Sequence, residues 1–86
     1  MEVPGRRVKA DPDKYFCGME PGDYGQDQDG LWWCRTPNGL LGVLSNHKVE
    51  ENPDGTITVS PSILVYEDRR TRAYHGFLVE GVWKEV

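Results

Sequence analysis

Two cysteines and two histidines are the residues of this sequence whose types could bind a metal. They are Cys17, Cys34, His47 and His75. Tetrahedral zinc accepts such a set, and small domains often depend on a structural metal because their cores are small. The sequence has no Cys-x-x-Cys or His-x₃-His pair, from which structural zinc sites usually start. The spacing therefore favours two ordinary cysteines and two polar histidines without a cofactor, with a zinc staple as the alternative.

Catalytic motifs are missing from the sequence. Ser60 and Ser62 flank Pro61 without the glycine elbow of a nucleophilic serine, and neither histidine is near them in sequence. A phosphate-binding Gly-Lys loop and a dinucleotide-binding fingerprint are also missing. The sequence therefore predicts a protein that is not an enzyme.

A cluster of arginines is a candidate for partner contact. Arg69, Arg70 and Arg72 lie beside Glu67 and Asp68, in a connection between two predicted strands. Loops bind partners more often than strands do, but a mixed-charge loop is commonly only solvated. Both interpretations stay open at this point.

The charge distribution limits the class of partner. The 86 residues carry a net charge of −4, with the acidic side chains concentrated in residues 11–30. Nucleic acids need a basic surface, so this balance argues against nucleic-acid binding. The apolar runs are too short to span a bilayer, and the N-terminus does not resemble a signal peptide. We therefore expect a soluble cytoplasmic protein that does not enter a membrane.

Three glycine-containing turns organise the second part of the chain. Residues 36–39 (Thr-Pro-Asn-Gly) and 52–55 (Asn-Pro-Asp-Gly) place Pro where φ is near −65° and Gly where φ is positive. Both predict a three-residue hairpin loop with a glycine bulge. We expect the same loop at residues 79–81 (Val-Glu-Gly), because Glu is a poor residue for the left-handed first position of a two-residue loop.

These loops set the registers of three hairpins. The predicted opposite pairs are Trp33–Val43, Cys34–Gly42, Val49–Val59, Phe77–Trp83 and His75–Glu85. Trp32 falls on the face of its strand opposite to Trp33, because side chains alternate along a strand. Trp32 is therefore our candidate for an exposed partner contact, alongside the arginine cluster.

The fold class follows from the turns and the alternation. No stretch shows helical periodicity, and Ser60-Pro61-Ser62 is expected to break the chain between two strands. We predict an all-β protein in which residues 31–86 form a small antiparallel meander of hairpins, curled into a sandwich or open barrel. Residues 1–30 are predicted to be an extended arm and an acidic loop outside that β-hairpin domain.

Three sequence blocks carry a resemblance to a known family. Residues 32–40 read WWCRTPNGL, residues 56–64 read TITVSPSIL, and residues 74–83 read YHGFLVEGVW. Residues 31–86 resemble a family of small phage- and prophage-encoded proteins of unknown function. That family has a Cys-rich opening, a Ser-Pro-Ser-Ile/Leu centre and a His-Gly-Phe/Tyr-Leu close. The resemblance is most specific at residues 59–63 and 75–78.

The resemblance implies a zinc-binding set in the family, most of which is lost here. Only Cys34 and His75 match family positions, and Cys17 with His47 would have to replace the rest. The chain is thus similar to a degenerate family member. The resemblance implies a phage-encoded accessory protein in the bacterial cytoplasm, which acts by binding a host or phage protein or by forming a homo-oligomer. A zinc-stapled structural domain and a nucleic-acid-associated factor are the alternatives.

Overall fold

The computed structural model describes residues 2–11, 19–66 and 73–86. Within these residues the chain forms nine strands and no helix, so the predicted all-β class is confirmed. The strands are β1 (Glu2–Pro4), β2 (Arg6–Lys9), β3 (Asp23–Gln26), β4 (Trp32–Arg35), β5 (Leu41–Val43), β6 (Lys48–Glu51), β7 (Ile57–Tyr66), β8 (Ala73–Val79) and β9 (Val82–Glu85).

The strands form two sheets rather than one continuous meander. One sheet has five strands in the order β1-β9-β8-β7-β6, and the other has four in the order β2-β3-β4-β5. Each sheet contains a meander of consecutive antiparallel strands, β6 to β9 and β3 to β5. The pair β2–β3 is parallel.

The core combines side chains from both sheets. Its buried members are Tyr24, Trp32, Cys34, Leu40, Leu44, Ile57, Val59, Ile63, Tyr74, Leu78 and Trp83. Trp83 is fully buried, and its indole Nε1 donates a hydrogen bond to the carbonyl oxygen of Gly22 at 2.8 Å. The ring of Tyr74 meets that of Trp83 edge-on, with centroids 5.5 Å apart. Aromatic side chains thus fill the core of a small domain, because each buries a large apolar area.

The first two predicted hairpins are confirmed. Gly39 has φ of 92° and Gly55 has φ of 88°, as the glycine bulge requires. The amide of Thr36 donates to the carbonyl of Leu40 at 2.8 Å, which closes the first loop. The registers Trp33–Val43, Cys34–Gly42 and Val49–Val59 are as predicted.

The third hairpin differs from the prediction by one residue. Glu80 and Gly81 both have positive φ, 48° and 77°, so the loop has two residues, as in a type I′ turn. Leu78 therefore faces Trp83, and Phe77 faces Lys84. The predicted pairs Phe77–Trp83 and His75–Glu85 are wrong, and the two rings lie on opposite faces of the sheet.

Tertiary hydrogen bonds explain why Glu80 tolerates a left-handed backbone. The amide of Glu80 donates to Thr58 Oγ1 at 3.0 Å, and the amide of Gly81 donates to the carbonyl of Ile57 at 2.9 Å. A left-handed conformation costs an L-residue roughly 1–2 kcal/mol. Two hydrogen bonds to a neighbouring strand are of the size needed to offset that cost.

The predicted chain break at Ser60-Pro61-Ser62 is an irregularity inside one long strand. β7 runs through ten residues, and its register with β8 shifts between Val59 and Ile63. The extra residues in β7 bend the strand without ending it, as a β-bulge does.

The described part of residues 1–30 contributes to both sheets. β1 pairs with β9, and β2 pairs with β3, which in turn pairs with β4. Gly25 lies opposite Val8, and a Cβ at Gly25 would approach the carbonyl oxygen of Val8 to 2.0 Å. Only glycine therefore permits this parallel pair. Within the described residues, strands that precede residue 30 therefore pair with strands that follow it.

Candidate functional site

Four large apolar side chains are exposed on the outer side of the five-stranded sheet. Leu64 is 48% exposed, Tyr66 65%, Phe77 44% and Val86 74%. Leu64 and Tyr66 share one side of β7 because they are two residues apart, whereas Ile63 on the other side is buried in the core. We call these four residues the apolar face.

The sheet registers bring the members of the apolar face together. Leu64 lies opposite His75 of β8. On the other side of β8, the amide of Val86 donates a hydrogen bond to the carbonyl oxygen of His75 at 2.9 Å, so Val86 also lies beside His75. Phe77 follows His75 by two residues on the same side of β8. Opposite side chains in an antiparallel sheet have Cβ atoms roughly 4.5–5.5 Å apart. The result is an apolar surface arranged around one imidazole.

Sequence analysis missed the apolar face, although a signal was present. Residues 63–66 read Ile-Leu-Val-Tyr, so this part of β7 is apolar on both sides. A strand at the surface of a small sandwich usually has one polar side. The one-residue error in the third hairpin also placed Phe77 towards Trp83 in the core, when Phe77 faces outward.

Two histidines meet at Ser62. The Nε2 atom of His75 lies 3.1 Å from Ser62 Oγ, and the Nε2 atom of His47 lies 3.1 Å from the carbonyl oxygen of Ser62. Since a carbonyl only accepts hydrogen bonds, His47 must carry its proton on Nε2. A serine and a histidine at this distance are the first requirement for a nucleophile. Among the described residues, however, no carboxylate is hydrogen-bonded to either imidazole, and His75 lies on an exposed sheet surface.

Two of the candidate zinc ligands, Cys34 and His75, lie on opposite sides of the five-stranded sheet. Cys34 is fully buried between the sheets, and burial raises the pKa of its thiol to about 12. His75 lies on the outer side of that sheet, so Cys34 and His75 do not share a metal site. Cys17 lies outside the described residues. The described segments contain no group of three His, Cys, Asp or Glu side chains that could hold a metal ion.

The prediction for Trp32 needs a correction. Trp32 and Trp33 lie on opposite faces of β4, as predicted, but Trp32 is the one that faces the core, with 9% of its surface exposed. The guanidinium of Arg7 lies 5.0 Å from the Trp32 ring centroid and covers it. Trp33 is half-buried on the outer side, where its Nε1 donates to Asp27 Oδ2 at 3.0 Å. Trp32 is therefore a core residue and not an exposed contact.

The predicted arginine contact cannot be placed. Arg69, Arg70 and Arg72 lie outside the described residues. The structure thus brings together none of the predicted partner-binding residues within its described segments, and the apolar face is the candidate surface that it presents instead.

An open cleft lies at one end of the core. It has a volume of about 220 Å³ and is lined by Val3, Pro37, Asn38, Tyr74 and Glu85. Burial raises the pKa of the Tyr74 phenol, and its hydroxyl has no hydrogen-bond partner among the residues that the structure describes. One carboxylate, one amide and a buried phenol supply neither a nucleophile with its base nor a metal-binding set.

Comparisons with protein-family models, with curated proteins and with solved structures found no match to this chain.

In the described part of the chain, no helix is long and apolar enough to cross a membrane.

Proposed function

We propose that this chain is a phage-encoded accessory protein that acts as a small, non-catalytic protein-binding module. The observation that carries the proposal is the apolar face, whose four large side chains are 44–74% exposed. Contiguous exposed apolar surfaces often mark protein–protein interaction sites. The resemblance of residues 31–86 to phage-encoded proteins supports the biological setting, with a host or phage protein as partner.

The composition of the apolar face suits a protein partner. Tyr66 and Phe77 are aromatic, and aromatic side chains are enriched at interfaces because they bury a large area. Full burial of each large apolar side chain is worth about 1.5–3 kcal/mol. His75, inside the face, and Lys84, opposite Phe77, can supply polar contacts at its centre and rim. The partner therefore presents a complementary apolar surface.

The test uses the apolar face itself as the probe. A photo-crosslinking amino acid at position 77 should attach to one defined protein in host cells. That protein, once purified, should bind the unmodified chain, and Phe77→Ser or Leu64→Ser should weaken the binding at least about tenfold. Lys9→Ser is the matched control, because Lys9 is also exposed but lies on β2 of the other sheet. The control variant should bind as tightly as the unmodified chain.

Three results would speak against this proposal. Unchanged affinity in the Phe77→Ser and Leu64→Ser variants would exclude the apolar face as the binding surface. Stoichiometric zinc in the purified protein, with a melting temperature that chelators lower, would favour a zinc-stapled structural domain. Retention on DNA that declines with salt would favour a nucleic-acid-associated factor.

A further inference from the structure

The open strand edges of the two sheets differ in how they are protected. Within the described residues the edges are β1 and β6 in one sheet, and β2 and β5 in the other. Proline and charged side chains protect an edge against pairing with another chain. β1 contains Pro4, β2 contains Arg6, Arg7 and Lys9, and β6 contains Lys48, Glu50 and Glu51. β5 reads Leu-Gly-Val and has no such protection.

The backbone of β5 directs hydrogen-bonding groups outward. The amide of Thr36 donates a hydrogen bond to the carbonyl oxygen of Leu40 at 2.8 Å, and the amide of Leu44 donates one to the carbonyl oxygen of Trp32 at 2.9 Å. In an antiparallel pair, hydrogen-bonded and non-hydrogen-bonded residue pairs alternate. Leu41 and Val43 are consequently in non-hydrogen-bonded positions relative to β4. Their N–H and C=O groups point away from the sheet and can pair with a further strand.

We propose that β5 pairs with β5 of a second copy of this chain, antiparallel, across a two-fold axis at Gly42. Leu41 of one copy then lies opposite Val43 of the other, and these pairs exchange four backbone hydrogen bonds. Gly42 lies opposite itself at the axis. The two four-stranded sheets become one continuous sheet of eight strands.

The sequence of β5 favours a second copy over an unrelated strand. The apolar residues Leu41 and Val43 are placed symmetrically about Gly42, so the strand is complementary to itself. The chain carries a net charge of −4, but β5 itself has no charged residue, so its pairing brings no like charges into opposition. Leu41 and Val43 are 38% and 41% exposed, and the dimer would place them against each other.

The inference does not depend on the proposed function, but the two are compatible. β5 belongs to the four-stranded sheet, whereas the apolar face lies on the five-stranded sheet. A dimer through β5 would leave two apolar faces open, and two linked faces bind a multivalent partner more tightly than one.

Sedimentation velocity over a range of protein concentrations tests the pairing. The unmodified chain should shift from monomer to dimer as concentration rises, and the amides of Leu41 and Val43 should exchange more slowly in the dimer. Val43→Lys, and independently Leu41→Lys, should remain monomeric at every concentration, because a lysine on an edge strand disfavours pairing. Tyr66→Lys is the matched control on the other sheet and should dimerise like the unmodified chain. Circular dichroism melting shows that each variant is folded.

A monomeric unmodified chain at all concentrations would overturn the proposal. So would dimerisation of the folded Val43→Lys and Leu41→Lys variants, or loss of the dimer in the Tyr66→Lys variant. Protection of the β5 amides only when another protein is added would assign this edge to that protein and would equally exclude the second copy.

Discussion

At Cys34, burial between the two sheets determines the chemistry of the thiol. The side chain is fully buried, and desolvation raises its pKa from 9.0 to about 12. The thiolate is the form that attacks electrophiles and binds metals. Cys34 therefore stays a neutral, unreactive thiol at physiological pH and acts as a small apolar core residue.

The raised pKa of Cys34 predicts a loss of stability in alkali. Above about pH 9 the unfolded chain loses the thiol proton while the folded chain keeps it, so the unfolded state binds fewer protons. The contribution of the Cys34 thiol to the free energy of unfolding is fully present below about pH 9. It is lost as the pH rises towards about 12, by at most about 1.4 kcal/mol per pH unit. Urea unfolding near pH 8 and near pH 10.5 measures this loss.

Cys34→Ala is the reference for that measurement. The variant is less stable overall, because the side chain is truncated in the core. Its free energy of unfolding should nevertheless fall less between the two pH values than that of the unmodified chain, by about 1–2 kcal/mol. Tyr24 is common to both proteins, so its contribution cancels, whereas the raised pKa of Tyr74 owes its smallest part to the charge of Cys34, which the variant lacks. Equal losses in the two proteins would show that Cys34 does not titrate in this way.

Residue types alone could not assign the tryptophans of β4. Alternation shows that Trp32 and Trp33 point to opposite sides, but both are apolar, and either could face the core. The orientation of the two rings depends on Arg7, which lies over the Trp32 ring, and on Asp27, which accepts a hydrogen bond from the Trp33 indole. Both partners come from residues 1–30, which sequence patterns had placed outside the hairpin domain.

At the scale of elements, the local preference of each turn determines whether the register of its hairpin can be predicted from the sequence. The Pro-Asn-Gly and Pro-Asp-Gly turns have one strongly favoured geometry, and the registers derived from them are correct. The Glu80-Gly81 turn has no such local preference, and contacts with Thr58 and Ile57 select its geometry. Those contacts come from β7, more than twenty residues away, and local sequence does not contain them.

Glu80 is consequently a position where a substitution should stabilise the protein. Glu80→Asn places a residue that tolerates the left-handed conformation at φ of 48°. We expect the free energy of unfolding to rise by about 0.5–1 kcal/mol, measured by urea unfolding. Glu80→Gln removes the same charge without the left-handed preference and should leave stability nearly unchanged. An equal gain in both variants would attribute the effect to charge.

At the scale of the whole molecule, the described residues before residue 31, which are residues 2–11 and 19–30, belong to the packed structure. β1 pairs with β9, Tyr24 is a core residue, and the carbonyl of Gly22 accepts the hydrogen bond from the buried Trp83 indole. The first thirty residues have few apolar periodic positions, so composition alone made them look like an arm. The structure shows that a few residues, which pair with strands of both sheets and reach the core, suffice to complete the two sheets.

A chain truncated to residues 31–86 should therefore fail to fold. It would lack β1, β2 and β3, leave the Trp83 indole N–H without its acceptor, and expose one side of the core. We expect no cooperative transition in urea and no near-ultraviolet circular dichroism from ordered tryptophans. Removing only residues 1–4 should lower the unfolding midpoint and keep the transition cooperative. A cooperative transition in the 31–86 chain would show that it is an independent domain.

The pairing of β1 with β9 has a consequence during synthesis. β1 (Glu2–Pro4) leaves the ribosome before β2 to β9, and its neighbour β9 (Val82–Glu85) follows about eighty residues later. At a translation rate of roughly 5–20 residues per second, the nascent chain waits several seconds for its closing strand. During that interval β8 also lacks its β9 neighbour and displays a free edge. The growing polypeptide is therefore most exposed to wrong partners just before β9 is made, when a chaperone would be most useful to it.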